Sequence, residues 1–124
     1  MASIVQPNIS TFNAGATIVK GHAVKMSSDS VVECTANTDR AIGIAQNSAA
    51  SGEKVEVAMP GGGGKFVASE TIGQGLSMVP HTDGTAAKAN AEGDKVIAIA
   101  LEDGVAGDLM SVMVCKLTAH AADE

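Results

Sequence analysis

From Lys54 to Met59 the chain alternates strictly, with Val55, Val57 and Met59 on one side and Lys54, Glu56 and Ala58 on the other. A period of two belongs to a strand with one buried face. Ile42 and Ile44 share a face by the same alternation, and Gly43 between them leaves room for a close neighbour. Upstream, Val19–Met26 and Val31–Thr35 are short apolar-rich runs parted by the turn composition Ser27-Ser28-Asp29-Ser30. Thr35–Arg40 is a polar connection and Asn47–Glu53 a turn. Downstream, Leu76–Val79, Thr85–Ala89 and Met110–Leu117 read as strands, with a polar turn at His81–Gly84. Ala86–Leu101 is alanine-rich enough to suggest a helix. Gly93 within it, and Gly104 and Gly107 just beyond, each oppose a helix by about 1 kcal/mol relative to Ala. The pattern predicts eight to ten short strands with frequent Gly, Asn, Asp and Ser turns, as in a small barrel or sandwich.

The strand pattern is stated twice. Ala41–Met59 returns fifty-five positions later as Val96–Val114. Without a gap, Ile42 falls on Ile97, Ile44 on Ile99, Ala45 on Ala100, Gly52 on Gly107 and Glu53 on Asp108. Val55, Val57 and Met59 meet Met110, Val112 and Val114. Thr17–Gly21 matches Thr71–Gly75 one position out of step. Two copies are too few for a solenoid and suit a domain with two related halves. This equates Ile97 and Ile99 with a convincing strand and settles the alanine-rich stretch as strand.

The halves are placed at about 16–59 and 70–114, inside one β domain spanning 16–117. Pro60–Lys65, with four consecutive glycines, is read as a Gly-rich linker or tight crossing between them, close to a symmetry axis. It is not a phosphate loop, because Phe66 stands where G-x-x-x-x-G-K-[ST] needs a hydroxyl. Residues 1–15 carry no charged side chain and have no helical period. They read as an extended N-terminal arm that pairs with a partner, or as a frayed terminus followed by a first edge strand. Residues 118–124 are expected to form a flexible acidic tail.

Composition narrows the function. At 124 residues the chain is one domain. It has two Phe, no Tyr and no Trp, so large rings contribute little buried area. Sharing apolar surface with further copies of itself would compensate. The net charge is −6, and residues 29–124 hold six basic and fourteen acidic side chains, a balance of −8. Such a body repels phosphate backbones and has almost no platform for stacking bases, so nucleic acid is not an expected partner. The longest aliphatic run, Val96–Leu101, is far short of a membrane span. The first residues lack a signal-peptide pattern, and synthesis in a cytoplasm is expected. Cys34 and Cys115 form no metal or redox motif and read as buried free thiols.

Catalysis requires a nucleophile, base and orienting group together, or a metal cluster. No Ser lies in a G-x-S-x-G elbow. His22, His81 and His120 have no metal-binding spacing and read as surface residues. Glu53 and Asp108 are explained as caps of a duplicated hairpin turn. No catalytic residue, metal or cofactor is expected, and the chain is not expected to be an enzyme.

The motif A-I-G-I-A-Q, a short Ser/Ala/Gly turn and then G-E-x-V-x-V-A, over Ala41–Ala58, resembles the small capsid decoration, or cement, proteins of tailed bacteriophages. The upstream T-I-x-x-G-x-A-V of Thr17–Val24 and the weaker downstream copy over Ala98–Asp108 are similar in order. The resemblance covers roughly residues 16–115. It implies an all-β, small β-barrel or β-tulip-like domain built from two tandem repeats, with an extended N-terminal arm. It also implies a homotrimer on the outer capsid surface of the virion, assembled in the host cytoplasm and bridging major capsid protein subunits. The family has no fixed binding motif. The arm residues Ser3, Ile4, Val5, Gln6, Pro7, Asn8, Ile9 and Phe12 are the candidate capsid contacts. Gly62, Gly63 and Phe66 are the candidate oligomer interface. A structural or adhesion module of a bacterial surface assembly is the alternative function.

Overall fold

The computed structural model describes residues 8–36, 39–89 and 95–118. Among these it is all-β, with ten strands: β1 (Ile9–Asn13), β2 (Ala23–Ser27), β3 (Ser30–Glu33), β4 (Ala41–Ala45), β5 (Lys54–Ala58), β6 (Gly63–Val67), β7 (Ser77–Pro80), β8 (Ala86–Lys88), β9 (Lys95–Ala100) and β10 (Leu109–Thr118). They form two antiparallel five-stranded sheets, ordered β1-β5-β4-β2-β3 and β6-β10-β9-β7-β8. Raising each number in the first order by five gives the second.

Local chemistry sets the elements. In β5, Val55 and Val57 are fully buried while Lys54 and Glu56 are exposed. β2 and β3 are joined by Ser28 and Asp29, both at positive φ (49° and 69°). That is the backbone twist a two-residue hairpin needs. Polar Ser and Asp tolerate it because their short side chains bond locally.

Inside the first half, Ala14, Ile18, Val24, Val31, Ala45, Ala49, Val55 and Val57 form one cluster, with Phe12, Ile42 and Met59 packed against it. The second half encloses Ala68, Ile72, Met78, Ala86, Ala100, Met110 and Val112 in the other cluster. That cluster also takes in Ala23, Cys34, Ala41, Ile44 and Ala58 from the first half. The core is therefore two nested interiors joined by a seam.

The sheets are not closed into a barrel, contrary to the expected barrel architecture. β1 and β3 are opposite edges of one sheet, as β6 and β8 are of the other. Each sheet curls until its two edges touch, but only at single parallel bridges, Ala14 to Val31 and Ala68 to Ala86. Strands of three to five residues at those edges are too short to zip further.

Three local expectations also change. Ile42 and Ile44 do not share a face. Lys25 pairs with Ala41 and Val24 with Gly43, so Ile42 is an extra residue in the ladder, and such a bulge reverses the alternation beyond it. Ile42 packs on the first cluster and Ile44 on the second. Ala58, expected to face solvent, is fully buried in the seam. The Gly-rich segment is not a free linker, because Gly63, Gly64 and Lys65 already pair with β10 in β6. Gly61 and Gly62 exchange backbone hydrogen bonds with Val114. At Gly64 the lack of a side chain has a packing reason: a Cβ there would lie 2.8 Å from the Ala58 Cβ.

Candidate functional site

The expected 15-residue arm is divided by the structure. Ser3, Ile4, Val5, Gln6 and Pro7 lie outside the described residues. Asn8 is fixed to the body, its Nδ2 donating to the Pro60 carbonyl at 3.0 Å and its own carbonyl accepting the Met59 N–H. Ile9 to Asn13 run antiparallel to β5 as an edge strand, with Ile9 39% exposed and Phe12 half-buried against the first cluster. The sequence holds a signal for this, since Phe12-Asn13-Ala14 and Phe66-Val67-Ala68 stand fifty-four positions apart. Their partners correspond too: Phe12 opposes Val55 and Phe66 opposes Met110.

Of the candidate oligomer residues, Gly62 is buried and its carbonyl accepts the Val114 N–H at 2.8 Å. Gly63 opposes Met113. The Phe66 side chain is wholly enclosed within the chain and offers no surface to a neighbour. Gly63 and Phe66 lie on β6 and Gly62 just before it, and the three do not compose an outward patch.

Most carboxylates among the described residues are occupied structurally. Eight carboxylates accept backbone N–H groups: Glu33 from Val19, Asp39 from Thr35, Glu53 from Ala50, Glu70 from Lys88, Asp83 from Thr85, Glu102 from Ser111, Asp103 from Gln74 and Asp108 from Val105. Glu53 and Asp108 cap equivalent turns, as their sequence positions suggest. These acids act as loop caps, and among the described residues no group of three or more His, Cys, Asp or Glu is placed to hold a metal ion. Burial opposes ionisation of Asp39, but the Thr35 N–H and the Lys25 ammonium at 3.0 Å outweigh it and lower its pKa. Asp83 is lowered chiefly by the Thr85 hydroxyl.

Both cysteines are free. Burial pushes the Cys34 thiol up to about 12, and Cys115 is also raised by burial, so neither is an activated nucleophile. His22 is mostly enclosed, its side chain 15% exposed. Its Nδ1 is buried 3.1 Å from Glu33 Oε2 without the alignment of a hydrogen bond, under the loop that ends at Gly84. His81 is half exposed beside Asp83, and His120 lies outside the described residues.

What the fold builds with most care is the seam between its halves. The Gln46 side chain acts as a substitute strand along the outer edge of β6, donating through Nε2 to the Lys65 carbonyl and accepting the Lys65 N–H at Oε1, both at 3.2 Å. The Val67 N–H donates to the Gly21 carbonyl at 2.9 Å, and the Ala23 N–H to that of Gly84 at 2.8 Å. Gly21 has no room for a side chain, since a Cβ there would meet Val67 Cγ2 at 2.6 Å and Leu109 Cδ1 at 2.8 Å. Across the seam face of the first sheet, the paired row Ala23, Ile44 and Ala58 is fully buried.

The corresponding row of the second sheet is Ser77, Ile99 and Met113, and all three are half-buried. This outward row, with Ile99 and Met113 at its centre, is a surface that reading the chain residue by residue misses. Aligning Ile44 with Ile99 and Ala58 with Met113 points to it once one of the two faces is known to be covered.

No curated protein matches the chain. The crystal structure of the head fiber gp8.5 N base in bacteriophage phi29 shares its fold, with a TM-score of 0.68 and 20% sequence identity over 91% of this chain and 98% of that one. A family model described as phage cement protein matches residues 5–117. With the match running from before β1 almost to the end of β10, the chain belongs to the phage cement protein family.

Proposed function

We propose that this protein is a capsid cement protein that binds the outer surface of a phage head and bridges neighbouring major capsid protein subunits. Membership of the cement family across residues 5–117 is the observation that carries the reading. The phi29 head-fibre base, with the same fold, is itself a phage head protein. The work is mechanical. A rigid unit repeated over a shell multiplies modest contacts through effective concentration, and no bond in a substrate is made or broken. The protein acts in the virion as a homotrimer, after assembly in the host cytoplasm. Its two sheets are tandem copies of one unit, a view supported by their identical strand order and by equivalent bonds such as Ile18 N–H to Ala49 and Ile72 N–H to Gly104. Residues 2–7 supply part of the grip on the shell.

Sedimentation of purified protein with heads that lack it tests the function. Saturable co-sedimentation at a stoichiometry fixed by the capsid lattice is expected. Protein left entirely in the supernatant at micromolar concentration would overturn the reading. Deleting residues 2–7, which leaves Asn8 and β1 in place, should lower occupancy without changing the unfolding midpoint. Unaltered occupancy would remove this segment from the account.

A further inference from the structure

We propose that the outward face of the second sheet receives the first half of another copy of this chain, repeating between molecules the seam formed within one. The inference rests on the oligomeric reading above and specifies which surfaces meet.

Three comparisons between equivalent positions carry it. The first is the covered row. Ala23, Ile44 and Ala58 are fully buried by the second half, whereas their equivalents Ser77, Ile99 and Met113 are half-buried. The second is the glycine pocket. Gly21 is filled by Val67 and Leu109, whereas Gly75, at nearly the same φ (87° against 86°), has nothing within 4 Å of its would-be Cβ among the described residues. The third is the strand edge. β6 spends its outward N–H groups on the first half, through Lys65 to Gln46 and Val67 to Gly21. Its equivalent β1 is an edge strand with, among the described residues, only β5 beside it in the sheet.

The first half thus has a filled socket and a free edge, and the second half has a docked edge and an open socket. A free edge on one surface and an open socket on another make a head-to-tail contact, which generates a ring when the rotation closes. In that contact the Asn13 N–H takes the Gly75 carbonyl of the neighbouring copy, as the Val67 N–H takes Gly21 within the chain. The open socket offers larger apolar groups, although Ser77 stands where the seam has Ala23. Met113 replaces Ala58, and Leu101 replaces Gln46, whose carboxamide makes polar contacts in the internal seam. Ile99 and Met113, half-buried beside an open backbone pocket, fit a protein surface better than solvent. A second copy is the occupant because the chain already covers the equivalent face with its own second half.

The test uses the full chain, light scattering and two variants. Ile99→Lys with Met113→Lys damages the socket, and Asn13→Pro removes the edge donor without touching the socket. Thermal unfolding checks that each variant remains folded. The wild type is expected to be an oligomer and each variant a monomer. Because the contact is head-to-tail, mixing the two variants should restore one intact interface per pair and yield a one-to-one heterodimer. A wild-type monomer would overturn the oligomeric reading together with this one. A wild-type oligomer that persists in both folded variants would overturn the surface assignment alone. Monomeric variants that fail to form a heterodimer would show an isologous contact and overturn it equally. An intact oligomer with reduced occupancy on heads would reassign the face to the capsid protein.

Discussion

Gly104 lies against Met110 so closely that a Cβ on the glycine would sit 2.6 Å from the Met110 sulfur and 2.7 Å from its Cγ. In the first half the same two positions are Ala49 and Val55, both buried. One half thus uses a medium side chain facing a methyl group, and the other a longer side chain facing none. Summed volume is conserved while each member changes, as dense cores require.

Gly104→Ala should therefore destabilise the protein by about 1–3 kcal/mol through overpacking, and Met110→Val should destabilise it by creating space. The double variant reproduces the Ala49–Val55 pair and should recover most of the loss. Urea unfolding of the four proteins in a double-mutant cycle measures this. Additive losses would show that the two positions are not coupled.

Gln46 is the second point of weakness. Its carboxamide both donates to and accepts from the Lys65 backbone, a pairing only an amide side chain can make. Gln46→Glu keeps the shape and loses the donor, leaving a carboxylate facing the Lys65 carbonyl. A loss of about 1–3 kcal/mol is expected, accompanied by faster hydrogen exchange at the Lys65 amide. Unchanged exchange at that amide would show that β6 does not depend on Gln46.

The strands were legible where one face alone is buried, as at Val55 and Val57. They were not legible where a second sheet covers the outward side, which is why Ala58 looked solvent-facing. Ile42 and Ile44 misled because a bulge depends on the register with β2, and alternation along one strand carries no record of its partner. β1 stays open between an arm and an edge strand in the sequence because its pattern runs against its packing: Ile9 is exposed while Ser10 is half-buried. The candidate oligomer patch failed at Phe66, whose apolar ring is equally suited to a core and to an interface.

Acid should weaken the fold through Asp39. Its folded pKa lies below the ordinary 3.8 because the Thr35 N–H and Lys25 outweigh burial. A depressed carboxylate contributes stability that is complete above the unfolded value and is lost as pH falls through the folded one. Asp83 shifts in the same direction. Stability should hold from neutral pH down to about 4 and fall below that. Asp39→Asn should lower stability at neutral pH and flatten the acid limb. Urea midpoints across that range measure both effects, and an acid limb as steep as wild type in the variant would remove Asp39 as its source.

The proposed bridging of capsid subunits is tested by the temperature at which DNA-filled heads disrupt. Heads saturated with this protein should release DNA at a higher temperature than undecorated heads, with the gain rising as sites fill. Full occupancy with an unchanged disruption temperature would contradict the account, because the protein would then coat the shell without holding its subunits together.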